Sequence, residues 1–156
     1  TELASALAGA GAVPASDEAI AAARIEAGYP VFGIDMTEDT IPLEAGIESR
    51  AISFTKGCYV GQEVIIRVLH RGHGRVAKRL VRIRIDGQRP QGGAKLYADE
   101  REIGWVTSAA DSPRSGTIAL AYVHRDFVNA GAELQVDVSA GRAAAIVSEI
   151  AVPSAV

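Results

Sequence analysis

The chain has 156 residues, of which 48% are hydrophobic and 22% charged, and its formal net charge is −3. This composition is typical of a globular protein with one full domain or two small ones. No apolar run approaches the roughly 18 residues that a membrane-spanning helix needs, and residues 1–4 do not look like a signal peptide. The single cysteine, Cys58, excludes an internal disulfide and an all-cysteine metal site within one chain. We therefore expect a cytoplasmic protein with no membrane partner.

The first half is predicted to be helical and rich in loops. A short helix is expected over residues 3–7. A second begins after Ser16, a favourable N-cap that two acidic residues follow, and it ends at Gly28. Helical spacing within it continues at Ile20, Ala23, Arg24 and Ala27. Residues 29–53 contain Gly, Pro and acidic residues rather than periodic apolar ones, which predicts a long ordered loop, usually a functional feature in a compact domain.

The most informative segment is Lys56-Gly57-Cys58-Tyr59-Val60-Gly61-Gln62-Glu63. Its two glycines permit a tight turn around the thiol. The apolar residues 64–69 that follow are predicted to form either a helix or a short buried strand. If a helix forms, Cys58 lies just before its N-terminus, where unpaired N–H groups and Lys56 favour the thiolate. Composition alone favours a buried structural cysteine, and the functional alternatives are a nucleophile, a redox thiol and a cluster ligand.

The second half is predicted to be β-structure. Residues 80–85 alternate between apolar and charged, which places Val81, Ile83 and Ile85 on one face of a strand. Gly, Pro, Asp or Asn separate further candidate strands at residues 94–98, 102–108, 117–123, 133–138 and 142–150. Short strands at this spacing predict a sandwich or a small barrel. We place the domain boundary near Lys78, which gives domains of residues 1–78 and 79–156.

The interval 64–85 contains no acidic residue and is strongly basic. Its arginines include Arg67 and Arg71, which either bind anionic groups or form a solvated face. Nucleic-acid binding would require wider basic coverage and stacking aromatics, and aromatic residues make up only 5% of the chain, so none is expected. His70 and His73 have no third ligand at the usual spacing, so we expect no metal site.

The cysteine segment resembles the motif of the YgfZ-type folate-binding proteins, relatives of the glycine-cleavage T protein that act in iron–sulfur cluster maintenance. The resemblance continues upstream through residues 24–30, 33–35 and 41–46, and downstream through residues 71–75 into the β-rich part. It implies an α+β fold, in which the last part of a T-protein-like folate-binding domain precedes an antiparallel β-barrel of about six strands. The large N-terminal region that builds most of the folate cavity in such folds has no room here. The chain is therefore expected to be a fragment, or half of a protein that another polypeptide completes.

The same resemblance implies roles for individual residues. Arg24, Glu26 and Gly28 match an Arg-x-Glu-x-Gly segment whose glutamate hydrogen-bonds the pterin ring, which gives that role to Glu26 and implies tetrahydrofolate or a folate derivative as cofactor. A carboxylate suits this role because it can accept two N–H bonds from a guanine-like edge. Cys58 would be the required thiol. The other candidate cofactor-binding residues are Tyr29, Lys56, Tyr59, Arg67 and Arg71.

Three functions remain open. The first is a tetrahydrofolate-binding accessory protein for iron–sulfur cluster assembly or repair, with the missing folate-domain segment and iron–sulfur client enzymes as partners. The second is an aminomethyltransferase of the T-protein type. Its catalytic aspartate would come from the missing region, so this chain alone is not expected to transfer a one-carbon unit. Cys58 and the Gln-Glu pair favour the first, because aminomethyltransferases as a rule lack both. The third is a non-catalytic β-barrel interaction module.

Overall fold

The computed structural model describes residues 1–70 and 75–148. In this part of the chain five helices precede six strands. The helices are α1 (Glu2–Gly9), α2 (Asp17–Glu26), α3 (Pro42–Ala45), α4 (Glu48–Ala51) and α5 (Gln62–His70). The strands are β1 (Lys78–Asp86), β2 (Lys95–Ala98), β3 (Arg101–Ser112), β4 (Gly116–His124), β5 (Glu133–Val138) and β6 (Gly141–Ser148). A 3₁₀ turn, Arg125–Phe127, follows β4.

The six strands form a closed antiparallel barrel in the order β1-β4-β3-β2-β5-β6, which confirms the predicted barrel. Val81, Ile83 and Ile85 point into its core, as the alternation in β1 predicts. The sequence underestimates β3, which continues to Ser112 rather than ending near residue 108. Residues 149–150 of the last predicted strand lie outside the described residues.

Strand β4 is buried on both faces. Ala119, Ala121 and Val123 face the barrel core, while Ile118, Leu120 and Tyr122 pack in a second cluster with α2. Most strands of a small barrel have one solvated face and therefore alternate in polarity, whereas a strand covered on both sides reads as a continuous apolar run. Helix α2, which contacts β3 and β4, provides that cover.

Helix α2 begins as predicted, because the Ser16 hydroxyl accepts a hydrogen bond from the backbone N–H of Ala19 at 3.2 Å. The helical spacing in the sequence does not identify which face of α2 is buried. Ile20 is 56% exposed and Ala23 is also exposed, whereas Ala22 and Ile25 are buried against the barrel. Both faces contain apolar residues at helical spacing, so the position of β3 and β4 decides which face is covered.

The segment predicted as a loop, residues 29–53, contains two one-turn helices, α3 and α4. Leu43 of α3 is buried in a third cluster with Ile65 of α5 and Val76. The apolar residues 64–69 therefore form a helix, which was one of the two predicted alternatives. Helix α5 packs in this cluster, outside the barrel core.

Candidate functional site

Glu26 is the last residue of α2. Its carboxylate contacts Ser112, the last residue of β3, and Arg114, which follows that strand. The Ser112 hydroxyl donates a hydrogen bond to Oε1, and the Arg114 guanidinium donates one to Oε2 and forms an ion pair with it. The bond from Ser112, followed by that from Arg114, lowers the pKa of Glu26 below its ordinary value of 4.5. The carboxylate is therefore ionised at neutral pH.

The helix end itself is tied to the barrel through the main chain. Arg82 of β1 donates a hydrogen bond to the carbonyl oxygen of Glu26 and another, from Nε at 3.0 Å, to the Ser148 hydroxyl. The alternation in β1 places Arg82 on the outer face of the strand, where it makes these part-buried contacts. A cation near the C-terminus of a helix offsets the partial negative charge there, and so compensates for the carboxylate of Glu26 at the same end.

A buried carboxylate, Asp35, fixes the chain after α2. Its Oδ2 accepts hydrogen bonds from Arg24 at 2.5 Å and from the Val31 N–H at 2.9 Å, and the hydroxyls of Thr107 and Ser108 donate to Oδ1 at 2.5 and 2.7 Å. Asp35 is 2% exposed. Arg24, which the resemblance identified only as part of a motif, therefore positions the segment beside Glu26.

Tyr29 lies on the surface immediately after α2. The residue is 44% exposed, and the guanidinium of Arg50 lies 4.2 Å from the ring centroid. Arg24 also donates a hydrogen bond to the Tyr29 carbonyl oxygen at 3.0 Å. The ring therefore has one face covered by a cation, in the position that a stacked aromatic ligand would take on that face.

Cys58 is exposed, so the thiol is not a buried packing residue in this chain. It precedes α5, and Gly61 takes the left-handed conformation with φ of 87° that the turn into the helix requires. The Lys56 ammonium lies 4.8 Å from the centroid of the Tyr59 ring. The sequence predicted that Lys56 would favour the thiolate of Cys58. In the structure the Lys56 side chain lies over the Tyr59 ring instead.

Of the two arginines predicted to bind anionic groups, only Arg67 lies within the described residues. Arg67 pairs with Glu63 at 2.7 Å on the exposed face of α5, a local i,i+4 contact of small energetic value. Arg71 and His73 lie outside the described residues. Among residues 1–70 and 75–148, no group of three or more His, Cys, Asp or Glu side chains could hold a metal ion. The same residues include no helix long and apolar enough to cross a membrane.

The candidate residues form two groups rather than one. Glu26 and Tyr29 lie at the barrel, with Ser112, Arg114 and Arg50, whereas Lys56, Cys58 and Tyr59 lie before α5. Within the described part of the chain, no hydrogen bond, ion pair or ring contact links the two groups. Sequence reasoning missed Asp35 as a positioning residue and Ser112 and Arg114 as partners of Glu26. The latter two are 86 and 88 residues away along the chain, so no local pattern could reveal them.

Comparison with known proteins gives consistent matches. Residues 78–151 match a family model described as the glycine cleavage T-protein C-terminal barrel domain. An aminomethyltransferase from Saccharopolyspora erythraea is 37% identical over 119 residues, which are 74% of this chain and 31% of that protein. An aminomethyltransferase from Thermosynechococcus vestitus is 35% identical over 131 residues, 83% of this chain and 35% of that protein.

A solved structure agrees with these matches. The aminomethyltransferase T of the glycine cleavage system from Bartonella henselae has a TM-score of 0.74 and 26% identity, over 85% of this chain and 37% of that one. The chain therefore spans about a third of the length of these relatives. The barrel is similar to the T-protein C-terminal barrel domain, and the narrower YgfZ type stays a prediction.

Proposed function

We propose that this chain is the C-terminal portion of an aminomethyltransferase-like protein that binds tetrahydrofolate. Its sequence and fold support membership of the glycine-cleavage T-protein superfamily. The observation that carries the proposal is the ionised carboxylate of Glu26, held at the end of α2 on the segment that resembles a pterin-binding motif. The relatives named aminomethyltransferase support the same activity. They favour it over the iron–sulfur function that the cysteine motif suggests.

The donors around Glu26 are of the kind that a pterin presents. A pterin edge carries adjacent N–H groups in one plane, as a guanidinium does, and the Arg114 guanidinium already donates to Glu26 Oε2. The Arg114 side chain is 83% exposed, so it can move aside for a ligand without disrupting the core. When bound, tetrahydrofolate supplies the nitrogen that accepts the one-carbon unit. Glu26 accepts the pterin N–H bonds, while Arg24 and Asp35 hold the adjoining backbone in place.

A further polypeptide segment completes the site under this proposal. It is an N-terminal folate-domain segment, on the same or a companion chain. This segment, rather than residues 1–70 or 75–148, supplies the catalytic aspartate. Five exposed apolar side chains in residues 32–64 support this proposal, since another protein segment that packed on this part of the chain would cover them. They are Phe32, Ile34, Phe54, Val60 and Val64.

The proposal predicts that Glu26→Gln weakens binding of tetrahydrofolate by the completed protein by about 1–3 kcal/mol. The variant loses the negative charge to which two N–H groups of the ligand would donate. The expected loss of binding free energy is that of a charge-assisted hydrogen bond. Isothermal titration calorimetry measures the effect.

Glu18→Gln is the matched control. Glu18 lies in the first turn of the same helix, is 65% exposed and pairs only at the surface with Arg89. Its substitution should leave the folate affinity unchanged. If Glu26→Gln binds tetrahydrofolate as tightly as the Glu18 control, Glu26 is not part of the site.

The exposed cysteine favours a second candidate function. The Cys58 thiol is accessible and follows Lys56 and Gly57 in a motif that resembles the YgfZ-type proteins. In this case the protein binds tetrahydrofolate but supports iron–sulfur client enzymes instead of transferring an aminomethyl group.

Cys58→Ser separates the two candidates. If the protein supports client enzymes, the variant should abolish their activity in cells while leaving the melting temperature and the folate affinity nearly unchanged, because the thiol is exposed. Thr55→Ser, an exposed neighbour, should have no effect. Client enzymes that stay fully active with Cys58→Ser would leave aminomethyl transfer as the function, to be measured directly on the completed protein.

A further inference from the structure

The two groups that donate to the Glu26 carboxylate differ in how firmly they are held, and Ser112 is the fixed one. Its hydroxyl oxygen accepts hydrogen bonds from the backbone N–H groups of Arg114 and Ser115, both at 3.0 Å, and Ser112 is only 6% exposed. A hydroxyl has two lone pairs and one proton. Because the lone pairs are engaged in the turn after β3, the proton is left for Glu26 Oε1, to which it is donated.

The second donor, Arg114, is held only at the surface. Its side chain is 83% exposed, whereas that of Glu26 is 14% exposed. Among residues 1–70 and 75–148, the guanidinium of Arg114 makes no hydrogen bond or ion pair other than the one to Glu26 Oε2. A long exposed side chain in a single ion pair gives up rotamer freedom for a small electrostatic gain, so such a contact opens readily.

The turn after β3 does not require the Arg114 guanidinium. Ser112 binds the backbone N–H of Arg114, which every residue except proline provides. The contact between Glu26 and Arg114 also lies at an open depression of about 440 Å³, which both residues line together with Ala23, Arg82 and others. Release of the guanidinium therefore exposes Oε2 to a ligand without breaking a contact that the fold needs.

We propose that Arg114 sets the affinity of this site as an internal competitor, whose guanidinium occupies Glu26 Oε2 and must be displaced by tetrahydrofolate. This inference rests on the function proposed above. The guanidinium and the pterin edge both present planar N–H donors, so that one can replace the other at the same carboxylate oxygen. Binding then exchanges one charge-assisted contact for another, and the free energy needed to release Arg114 reduces the affinity for the ligand.

Removal of the competitor is the direct test. Arg114→Ala should raise the affinity of the completed protein for tetrahydrofolate about two- to fivefold, the range that corresponds to the loss of one exposed ion pair. Arg114→Lys keeps a cation beside Glu26 but lacks the planar fork, so it should give a smaller gain than Arg114→Ala. Isothermal titration calorimetry measures all three affinities.

Arg89→Ala is the matched control. Arg89 pairs at 2.9 Å with Glu18, which lies in the first turn of the same helix, and it does not line the depression at Glu26. Its substitution removes the same charge and a comparable surface ion pair, so it should leave the affinity for tetrahydrofolate unchanged.

The outcomes separate this inference from the proposed function. Equal or weaker binding of tetrahydrofolate by Arg114→Ala than by the unaltered protein would overturn the competition. An equal gain in Arg89→Ala would do the same, because the effect would then follow from the lost charge and not from Glu26. Tetrahydrofolate binding by none of these proteins would instead reject the proposed function, and the competition with it.

A second measurement does not depend on the ligand. After Ser112, Arg114 is the group that most lowers the pKa of Glu26. In ligand-free Arg114→Ala the pKa should therefore rise, so that Glu26 is protonated at a higher pH than in the unaltered protein, while the nearby cation Arg82 is present in both. Titration of the Glu26 carboxyl carbon by NMR measures the shift. An unchanged midpoint would contradict the proposal, because the guanidinium would then not occupy Glu26 before the ligand binds.

Discussion

At Gly104 the lack of a side chain lets β3 approach β4 more closely than any other residue would allow. A Cβ atom at this position would lie 1.9 Å from the carbonyl oxygen of Tyr122. Gly104 also adjoins a register shift in the pairing of β2 with β3, so a bulge and a close approach coincide. Trp105, the next residue, lies on the outer surface with its ring centroid 5.4 Å from that of Tyr122. The register shift and the close contact together explain why this position requires glycine.

Gly104→Ala is therefore expected to destabilise the protein by about 1–3 kcal/mol, since the new methyl group meets backbone that cannot move independently of the strand. Urea denaturation measures the change in the free energy of unfolding. Gly57→Ala is the control, because a Cβ there would meet nothing within 4 Å. Equal stability of the two variants would show that β3 can shift away from β4.

At the scale of elements, helix α2 acts as the outer cover of the barrel and the carrier of the candidate site. Ile25 is fully buried between the helix and the strands, in the cluster that holds Leu120 and Tyr122. The next residue, Glu26, reaches Ser112 only because that packing fixes the rotation of the helix. Packing and site geometry therefore depend on the same interface.

Ile25→Ala should lower the free energy of unfolding by about 2–5 kcal/mol, from lost burial and the remaining cavity. Ile20→Ala, on the exposed face of the same helix, should change it by about 0.5 kcal/mol or less. Denaturant titration of both variants makes the comparison. A larger effect at Ile20 than at Ile25 would show that the other face of α2 packs against the barrel.

Over the whole molecule, α2 and the segment that follows it depend on the barrel for their order. The barrel core is closed inside the six strands, whereas α2 packs outside them and the segment after it is held by Asp35 against Thr107 and Ser108. Nearly all the burial of α2 is against strands distant in sequence. We infer that α2 and the barrel unfold as one cooperative unit.

Thermal unfolding should therefore give coincident transitions for helical ellipticity and for the fluorescence of Trp105 in β3. Asp35→Asn should lower the midpoint temperatures of both transitions by the same amount, because it breaks a buried ion pair with Arg24. Asp39→Asn, at an exposed position, should shift neither. A helical signal lost well below the tryptophan transition would show that α2 is only loosely attached to the barrel.

The sequence alone determines the features that depend on near neighbours. Alternation in β1 specifies which side chains enter the barrel, and Ser16 specifies where α2 begins, because period-two patterns and N-caps act over a few residues. The glycine-framed motif identifies Cys58 as a candidate thiol, and the structure shows that it is exposed.

Only the tertiary structure decides that α2 buries Ala22 and Ile25, and that Ser112 and Arg114 hold Glu26. Each of these depends on residues far apart in the sequence. Closure of the barrel brings them together, and no local pattern encodes which of two apolar helix faces it will cover.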